Sequence, residues 1–169
     1  MSWLRRLIGA MPADEIEGIS LTSPGWALPS VADDASRFLR AIPRLVFSNA
    51  FVFLEGGSHP VRLRRLLQQR TVQVSPRPAL GTLWPRQACF VVPAEPAILE
   101  EVATFAEGLP YPEVCDHLHV FSGEQVLLSG YDAFAQPFTL SAAVSEDAVR
   151  AFSAAVGCTY RREVREGAG

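Results

Sequence analysis

The sequence predicts an α+β domain in which three to four helices pack on a single mixed sheet of five to six strands. Short runs of β-branched and aromatic residues alternate with amphipathic segments of helical period, and Gly, Pro and polar residues separate them. A hairpin pattern near residues 117–128 makes part of this sheet antiparallel. Residues 1–169 contain no repeat or linker that would divide them, so we expect one domain.

The first third of the chain is expected to start irregularly and then to form a helix and a strand. Residues 1–29 should hold a short N-terminal helix and a lead-in rich in Pro and Gly, with one short strand. Ser30 is the expected N-cap of the next helix, which Pro43 ends. The apolar run at 50–54 predicts a strand that is covered on both faces.

The middle of the chain carries two predicted helices. Ser58 as N-cap and Pro60 in the opening turn begin the first helix. Gly108 closes the second helix, whose apolar stripe includes Phe105. The predicted elements here are a helix at 61–70, a short strand at 71–74, a surface loop around Trp84 at 76–85, a strand at 88–92 and a helix at 96–107.

The last third is expected to be mainly β-structure with one strongly marked helix. Pro110 and Pro112 predict an extended entry into the hairpin. Ser145 has the features of an N-cap, and Gly157 those of a residue just past a helix end. The predicted elements here are hairpin strands at 117–121 and 125–128, a strand at 137–140, a helix between Ser145 and Gly157, an edge strand at 158–163 and a loose terminus at 164–169.

The composition excludes several classes of enzyme. All 15 basic residues are Arg, and Lys is absent, as is typical of a GC-rich bacterial genome. Without Lys there is no Schiff base to pyridoxal phosphate and no phosphate-binding lysine of a Walker-type nucleotidase. The net charge of −3 gives no bulk attraction to nucleic acid. We therefore expect a partner other than nucleic acid.

The three cysteines are too few and too scattered for a disulfide framework in a chain of 169 residues. Reduced thiols are typical of the cytoplasm, which is the expected location. The apolar runs are too short to span a bilayer, so no membrane span is predicted.

The segment at 115–119 suggests a metal site. In a strand, alternate residues share a face, so Cys115, His117 and His119 would project together. A thiolate and two imidazoles suit zinc, and Asp132 is a candidate fourth ligand. Two alternatives stay open: the histidines are solvated or hydrogen-bonded residues of an ordinary strand, or they act in acid–base catalysis without a metal.

A second candidate site lies between a strand and a helix. Free N–H groups at a helix start attract anions, and glycines allow a phosphate to approach closely. The alternative is a tight turn followed by solvated arginines. The candidate ligand-binding residues are Gly56, Gly57, Ser58, His59, Arg62 and Arg65.

Three aromatic residues on predicted loops are candidates for binding a partner: Trp84, Tyr131 and Phe134. Aromatic side chains are enriched where proteins bind each other, although packing in the core is the alternative for each. No complete catalytic set is visible, and no enzyme template such as G-x-S-x-G is present.

The sequence therefore favours a non-catalytic cytoplasmic domain that binds another protein, as an inhibitor, an immunity-type protein or an accessory subunit. One alternative is a small metal-dependent enzyme that uses Cys115, His117 and His119. Another is a binder of anions or small ligands at 56–65. No cofactor is expected, with zinc as the one candidate.

Overall fold

The computed structural model describes residues 15–16, 19–20, 25–29, 34–46, 49–56, 58–81, 87–132 and 135–163. These residues form five α-helices, a seven-stranded sheet and a separate two-stranded ribbon. The predicted α+β class is therefore confirmed, but the expectation of three to four helices is too low. The predicted N-terminal helix, the Ser30 position and the loose terminus at 164–169 lie outside the described residues.

Helices and strands follow each other along the whole described chain. The strands are β1 (Glu15–Ile16), β2 (Ile19–Ser20), β3 (Gly25–Leu28), β4 (Phe51–Gly56), β5 (Ala88–Pro93), β6 (His117–Ser122), β7 (Gln125–Gly130), β8 (Phe138–Leu140) and β9 (Arg161–Glu163). The helices are α1 (Ala35–Ala41, continued by a 3-10 turn at Ile42–Arg44), α2 (Val61–Arg70), α3 (Pro96–Ala106), α4 (Tyr111–Val114) and α5 (Glu146–Val156).

The main sheet has the strand order β5-β4-β6-β7-β8-β3-β9, and every neighbouring pair is antiparallel. The expectation of a mixed sheet with five to six strands is therefore wrong in both respects. After α2 the chain runs through residues 71–81 without a helix or strand, and β5 then returns beside β4 in the opposite direction. The predicted strand at 71–74 is reduced to one bond, from the Val72 amide to the Val91 carbonyl (2.9 Å).

Helix α5 begins and ends as its sequence predicts. The Ser145 hydroxyl accepts a bond from the Ala148 amide at 3.3 Å. Gly157 ends the helix in the left-handed conformation, with φ of 80°. A non-glycine residue is disfavoured there because its Cβ would crowd the backbone.

The starts of α1 and α2 differ from the prediction. Asp34 caps α1, because its carboxylate accepts from the Arg37 amide at 3.0 Å. Helix α2 follows Pro60, and no side chain caps it. The backbone of Pro60 is still extended, so Ser58 lies two residues too early to reach the first free amides.

Two features near α3 also differ from the prediction. The buried residues of α3 centre on Leu99, Val102 and Ala106, and Phe105 lies roughly a third of a turn away from that stripe. Its side chain is therefore 42% exposed and not inward. The expected extended entry is a short helix, α4, because Pro112 suits the first turn of a helix.

The helices cover one face of the sheet, called here the helix-covered face. Alternate residues of the strands point to it, and the buried strand residues on this face are apolar. They pack against α1, α2, α3 and α5 in one continuous core. Buried members of this core are Val52, Leu54, Phe90, Val92, Leu118, Val120, Leu128, Phe138, Phe38, Leu39, Leu63, Leu67, Leu99, Val102, Val149 and Phe152.

The opposite face, called here the loop-covered face, carries a smaller cluster. Phe53, Val91 and Phe121 are buried there, and Val74 and Leu80 from the irregular segment pack against them. Strand β4 is thus covered on both faces, as its apolar run predicts. No helix in the described part of the chain is long and apolar enough to cross a membrane.

Candidate functional site

Strand register brings the polar residues of the loop-covered face into two rows. Glu55 of β4 lies opposite His117 of β6. In the next row, Phe53 lies opposite His119, which in turn lies opposite Ser129 of β7. Residues opposite each other on one face are neighbours, so these side chains form a cluster.

The His119 imidazole is almost completely inside the protein, with 1% exposure. Its Nδ1 atom shares a hydrogen bond of 2.9 Å with the hydroxyl of Ser129, which is itself buried. Burial lowers the pKa of His119 to about 3, and the nearby His117 adds to this shift. His119 is therefore neutral at physiological pH.

Tyr131 covers the two imidazoles at the end of β7. Its ring meets the His117 ring edge-on at 5.4 Å and the His119 ring at 4.9 Å between centroids. Burial raises the pKa of the Tyr131 phenol, and the charge of Glu55 acts in the same direction. Tyr131 is still 41% exposed, so it forms the outer layer of the cluster.

Asp132 reaches the cluster through its backbone. Its amide donates to Nδ1 of His117 at 3.2 Å, and its φ is 54°. A neutral His117 that accepts at Nδ1 carries its proton on Nε2. The bond holds the ring of His117 in place and assigns no ligand role to the Asp132 carboxylate.

Glu55 is the residue of this cluster that sequence analysis missed. Glu55 is fully buried. Gly81 of the irregular segment after α2 lies close to it, because a Cβ atom added to this glycine would be 3.8 Å from Oε2 of Glu55. The sequence does contain a signal for this residue, which is the alternation of side chains along a strand. Glu55 follows Phe51 and Phe53 on the face opposite Val52 and Leu54. Together with burial, the charge of Glu55 raises the pKa of the neighbouring Cys89 thiol.

The structure does not bring Cys115 together with the two histidines. Strand β6 begins at His117, and Cys115 lies before it in the core of the helix-covered face. Complete burial raises the pKa of the Cys115 thiol and disfavours the thiolate that a metal would need. Among the described residues, no group of three or more His, Cys, Asp or Glu is arranged to hold a metal ion.

The residues of the candidate anion site have different environments in the structure. Gly57 lies outside the described residues, and Ser58 is exposed. His59 turns inward, with its ring edge-on to Phe90 at 5.2 Å, and burial lowers its pKa. A Cβ on Gly56 would lie 3.0 Å from the His59 ring, so the glycine makes room for the imidazole.

Arg62 and Arg65 of that candidate site project from α2 into solvent, and so does Arg64. These three arginines form no hydrogen bond or ion pair with any residue that the structure describes. Other arginines do have acidic partners: Arg40 pairs with Glu100 and Glu107, Arg70 with Glu101, Arg150 with Glu146 and Asp147, and Arg161 with Glu163.

A polar groove of about 620 Å³ lies between α1 and the end of α3. Its charged groups already have partners, because Arg40 bonds Glu107 at 2.6 Å and Asp34 caps α1. The groove therefore has no unmatched charge of the kind found on α2.

Trp84 and Phe134, two of the three predicted partner-binding aromatics, lie outside the described residues. Tyr131, the third, covers the histidine cluster and also reaches the surface. The surface that combines these three residues remains a prediction.

Comparison with known proteins found no matching family model, no matching curated protein and no matching solved structure. The arrangement of the residues themselves therefore carries the functional argument. The His119–Ser129 pair is buried and hydrogen-bonded, whereas Arg62, Arg64 and Arg65 of α2 are exposed and have no acidic partner among the described residues.

Proposed function

We propose that this chain acts by binding another protein, and that the exposed side of α2 is its contact surface. This side, called the α2 basic face, consists of Val61, Arg62, Arg64, Arg65 and Gln68, all of which are exposed. The inner side of the same helix is already occupied, because Leu63, Leu66 and Leu67 are buried in the core.

The proposal rests on three neighbouring arginines without an acidic partner in the described chain. The nearby Arg70, at the end of the same helix, does have one and bonds Glu101 at 2.6 Å. The described residues therefore place a carboxylate at the end of α2 and none at its beginning. A partner that offers carboxylates would balance the remaining charge.

The position of Arg62 and Arg64 disfavours the isolated helix. Both lie in the first turn of α2, whose partial positive charge repels cationic side chains by about 0.3–1 kcal/mol for each exposed residue. Helix α2 has neither an acidic residue in its first turn nor a side chain that caps it. A surface that costs stability in the free protein supports a role in binding.

The histidine cluster gives less support to a catalytic function. Ser129 and His119 have the nucleophile–base pairing that covalent catalysis uses, but both are buried and His119 faces Phe53 and Tyr131. The metal-dependent alternative is also weaker, because Cys115 lies in the core of the helix-covered face and the two histidines lie on the other face. Protein binding is thus the function that the geometry favours, and its subtype, an inhibitor, an immunity-type protein or an accessory subunit, is proposed with it.

A photo-crosslinker tests this function in the cells that make the protein. Gln68, on the same ridge as Val61 and Arg65 and at the C-terminal end of the α2 basic face, is replaced by p-benzoylphenylalanine, and the matched control carries the same group at Ala151, which is exposed on α5. We expect irradiation to give a discrete protein adduct from position 68 and none from position 151. The proposed function fails if position 68 gives no adduct, or if both positions give the same set.

A further inference from the structure

The geometry of α2 points to a particular kind of partner. We infer that the α2 basic face binds a protein surface rich in carboxylates, with a small apolar depression that receives Val61. This inference rests on the proposed function and adds the chemistry of the partner to it.

Helical geometry sets the pattern that the partner must match. At 100° per residue, Val61, Arg65 and Gln68 follow one ridge opposite the buried leucines. Arg62 and Arg64 lie on either side of this ridge. Val61 is 76% exposed, so an apolar side chain stands among three positive charges. The arrangement is typical of a contact in which one apolar group is surrounded by polar ones.

The guanidinium group favours carboxylates as the complementary groups. It presents several N–H donors in a plane and can bind both oxygens of one carboxylate. The protein already uses this chemistry internally, since Nε of Arg40 lies 3.0 and 2.9 Å from the two oxygens of Glu100. Arg62, Arg64 and Arg65 have the same donors and no described acceptor.

Nucleic acid and membrane are less suitable occupants of this face. Tight binding to nucleic acid uses many phosphate contacts, whereas this face offers three arginines on a chain of net charge −3. A membrane-surface helix buries its apolar side in lipid, but the apolar side of α2 is inside the core. Val61 alone would supply little membrane affinity.

The test combines the crosslinker at position 68 with reversal of charge. The variant R62E/R65E reverses two charges of the α2 basic face, and the control R44E/R77E reverses two exposed arginines that also have no described partner. We expect R62E/R65E to lower the adduct yield about tenfold or more, and R44E/R77E to leave it unchanged. The crosslinked peptide of the partner should be rich in Asp and Glu, and changing two of these residues to Arg should restore the adduct with R62E/R65E.

Each other outcome overturns a defined part of the argument. An adduct that survives R62E/R65E, or that maps to a peptide without acidic residues, overturns the inference and leaves the proposed function standing. An adduct that disappears on nuclease treatment, or that consists of lipid, assigns the face to nucleic acid or membrane and overturns both. No adduct at all also overturns both. Circular dichroism of the purified variants checks that each is folded.

Discussion

The two faces of the seven-stranded sheet are built from alternate residues of the same strands, yet they differ in chemistry and in cover. On β4, Val52 and Leu54 enter a continuous apolar core beneath the helices. On the other face of that strand, Phe53 and Glu55 meet the irregular segment after α2. One strand therefore contributes to an apolar environment and to one that contains buried ionisable groups.

This difference follows from what covers each face. Helices satisfy their own backbone groups, so they can present apolar side chains alone to the sheet. The loop-covered face instead holds polar groups that find partners across the strands, such as the Ser129 hydroxyl and the His119 imidazole. We therefore expect the helix-covered face to respond mainly to changes of volume, and the loop-covered face to respond also to pH.

Loss of volume on the helix-covered face should have the largest effect. Leu54 is fully buried there, so Leu54→Ala should lower the free energy of unfolding by about 3 kcal/mol through lost burial and the cavity that remains. Urea denaturation at pH 7 and at pH 5 measures this loss, which should be the same at both. The control Leu54→Met keeps most of the volume and should cost less than about 1.5 kcal/mol. A similar loss from both variants would contradict the packing argument.

Added volume on the same face should be the next largest effect. A Cβ on Gly130 would overlap the ring of Phe138, which is fully buried. Gly130→Ala should therefore destabilise the protein by about 2 kcal/mol, because the ring or the strand must move. Thermal unfolding checks this. Phe138→Leu in the same chain should recover part of the loss, and absence of any recovery would contradict the proposed clash.

Acid should destabilise the loop-covered face. Burial holds the pKa of folded His119 near 3, whereas the unfolded side chain has a pKa near 6.5. The unfolded state therefore binds the additional proton between these values, and stability is lost as the pH falls below about 6.5. We expect a loss of about 2 kcal/mol between pH 7 and pH 4.5 from this residue.

The variant His119→Asn separates this contribution from others. Its amide can replace Nδ1 in the bond to Ser129 and does not titrate, so its stability should vary less between pH 7 and pH 4.5. His59, whose pKa burial also lowers, should account for part of the remaining slope. Equal pH dependence in wild type and His119→Asn, measured by urea denaturation, would rule out a neutral buried His119.

Exposed arginines should have the smallest effect on stability. Arg40 lies between two carboxylates on the outside of the helix layer, so Arg40→Ala should cost at most about 1 kcal/mol, and less in high salt. Arg65→Ala should change stability by less than about 0.5 kcal/mol, or raise it slightly, because no described group bonds Arg65. Thermal melts in low and high salt distinguish the two variants. A larger loss for Arg65→Ala would show that Arg65 supports the fold.

The elements with strong local signals could be predicted from the sequence. Helix α2 spans the predicted residues, α5 has the predicted cap at Ser145 and glycine at 157, and the hairpin has its turn at 123–124. The sequence predicts too few strands and a mixed sheet, whereas the main sheet has seven strands and every neighbouring pair is antiparallel. Strand order depends on how segments that are distant in the sequence meet in space. Neither helix caps nor hydrophobic periodicity carries that information.

The candidate site shows the same division. Alternation places His117 and His119 on one face, and the helical period exposes the arginines of α2. The same alternation does not extend to Cys115, because the chain enters β6 through α4 and the strand begins two residues later. Glu55 was overlooked because a charged residue at the end of an apolar run does not reveal whether another segment covers it.

Local order along the chain set the helices, the hairpin and the exposure of the arginines, because caps, turns and periodicity act between residues a few positions apart. The three-dimensional fold alone decided that Glu55, His119, Ser129 and Tyr131 are neighbours, and that Arg70 has an acidic partner while Arg62, Arg64 and Arg65 have none among the described residues. The physical reason is distance: electrostatic and packing contacts act over a few ångströms in space, and the residues that make them are up to tens of positions apart in the chain.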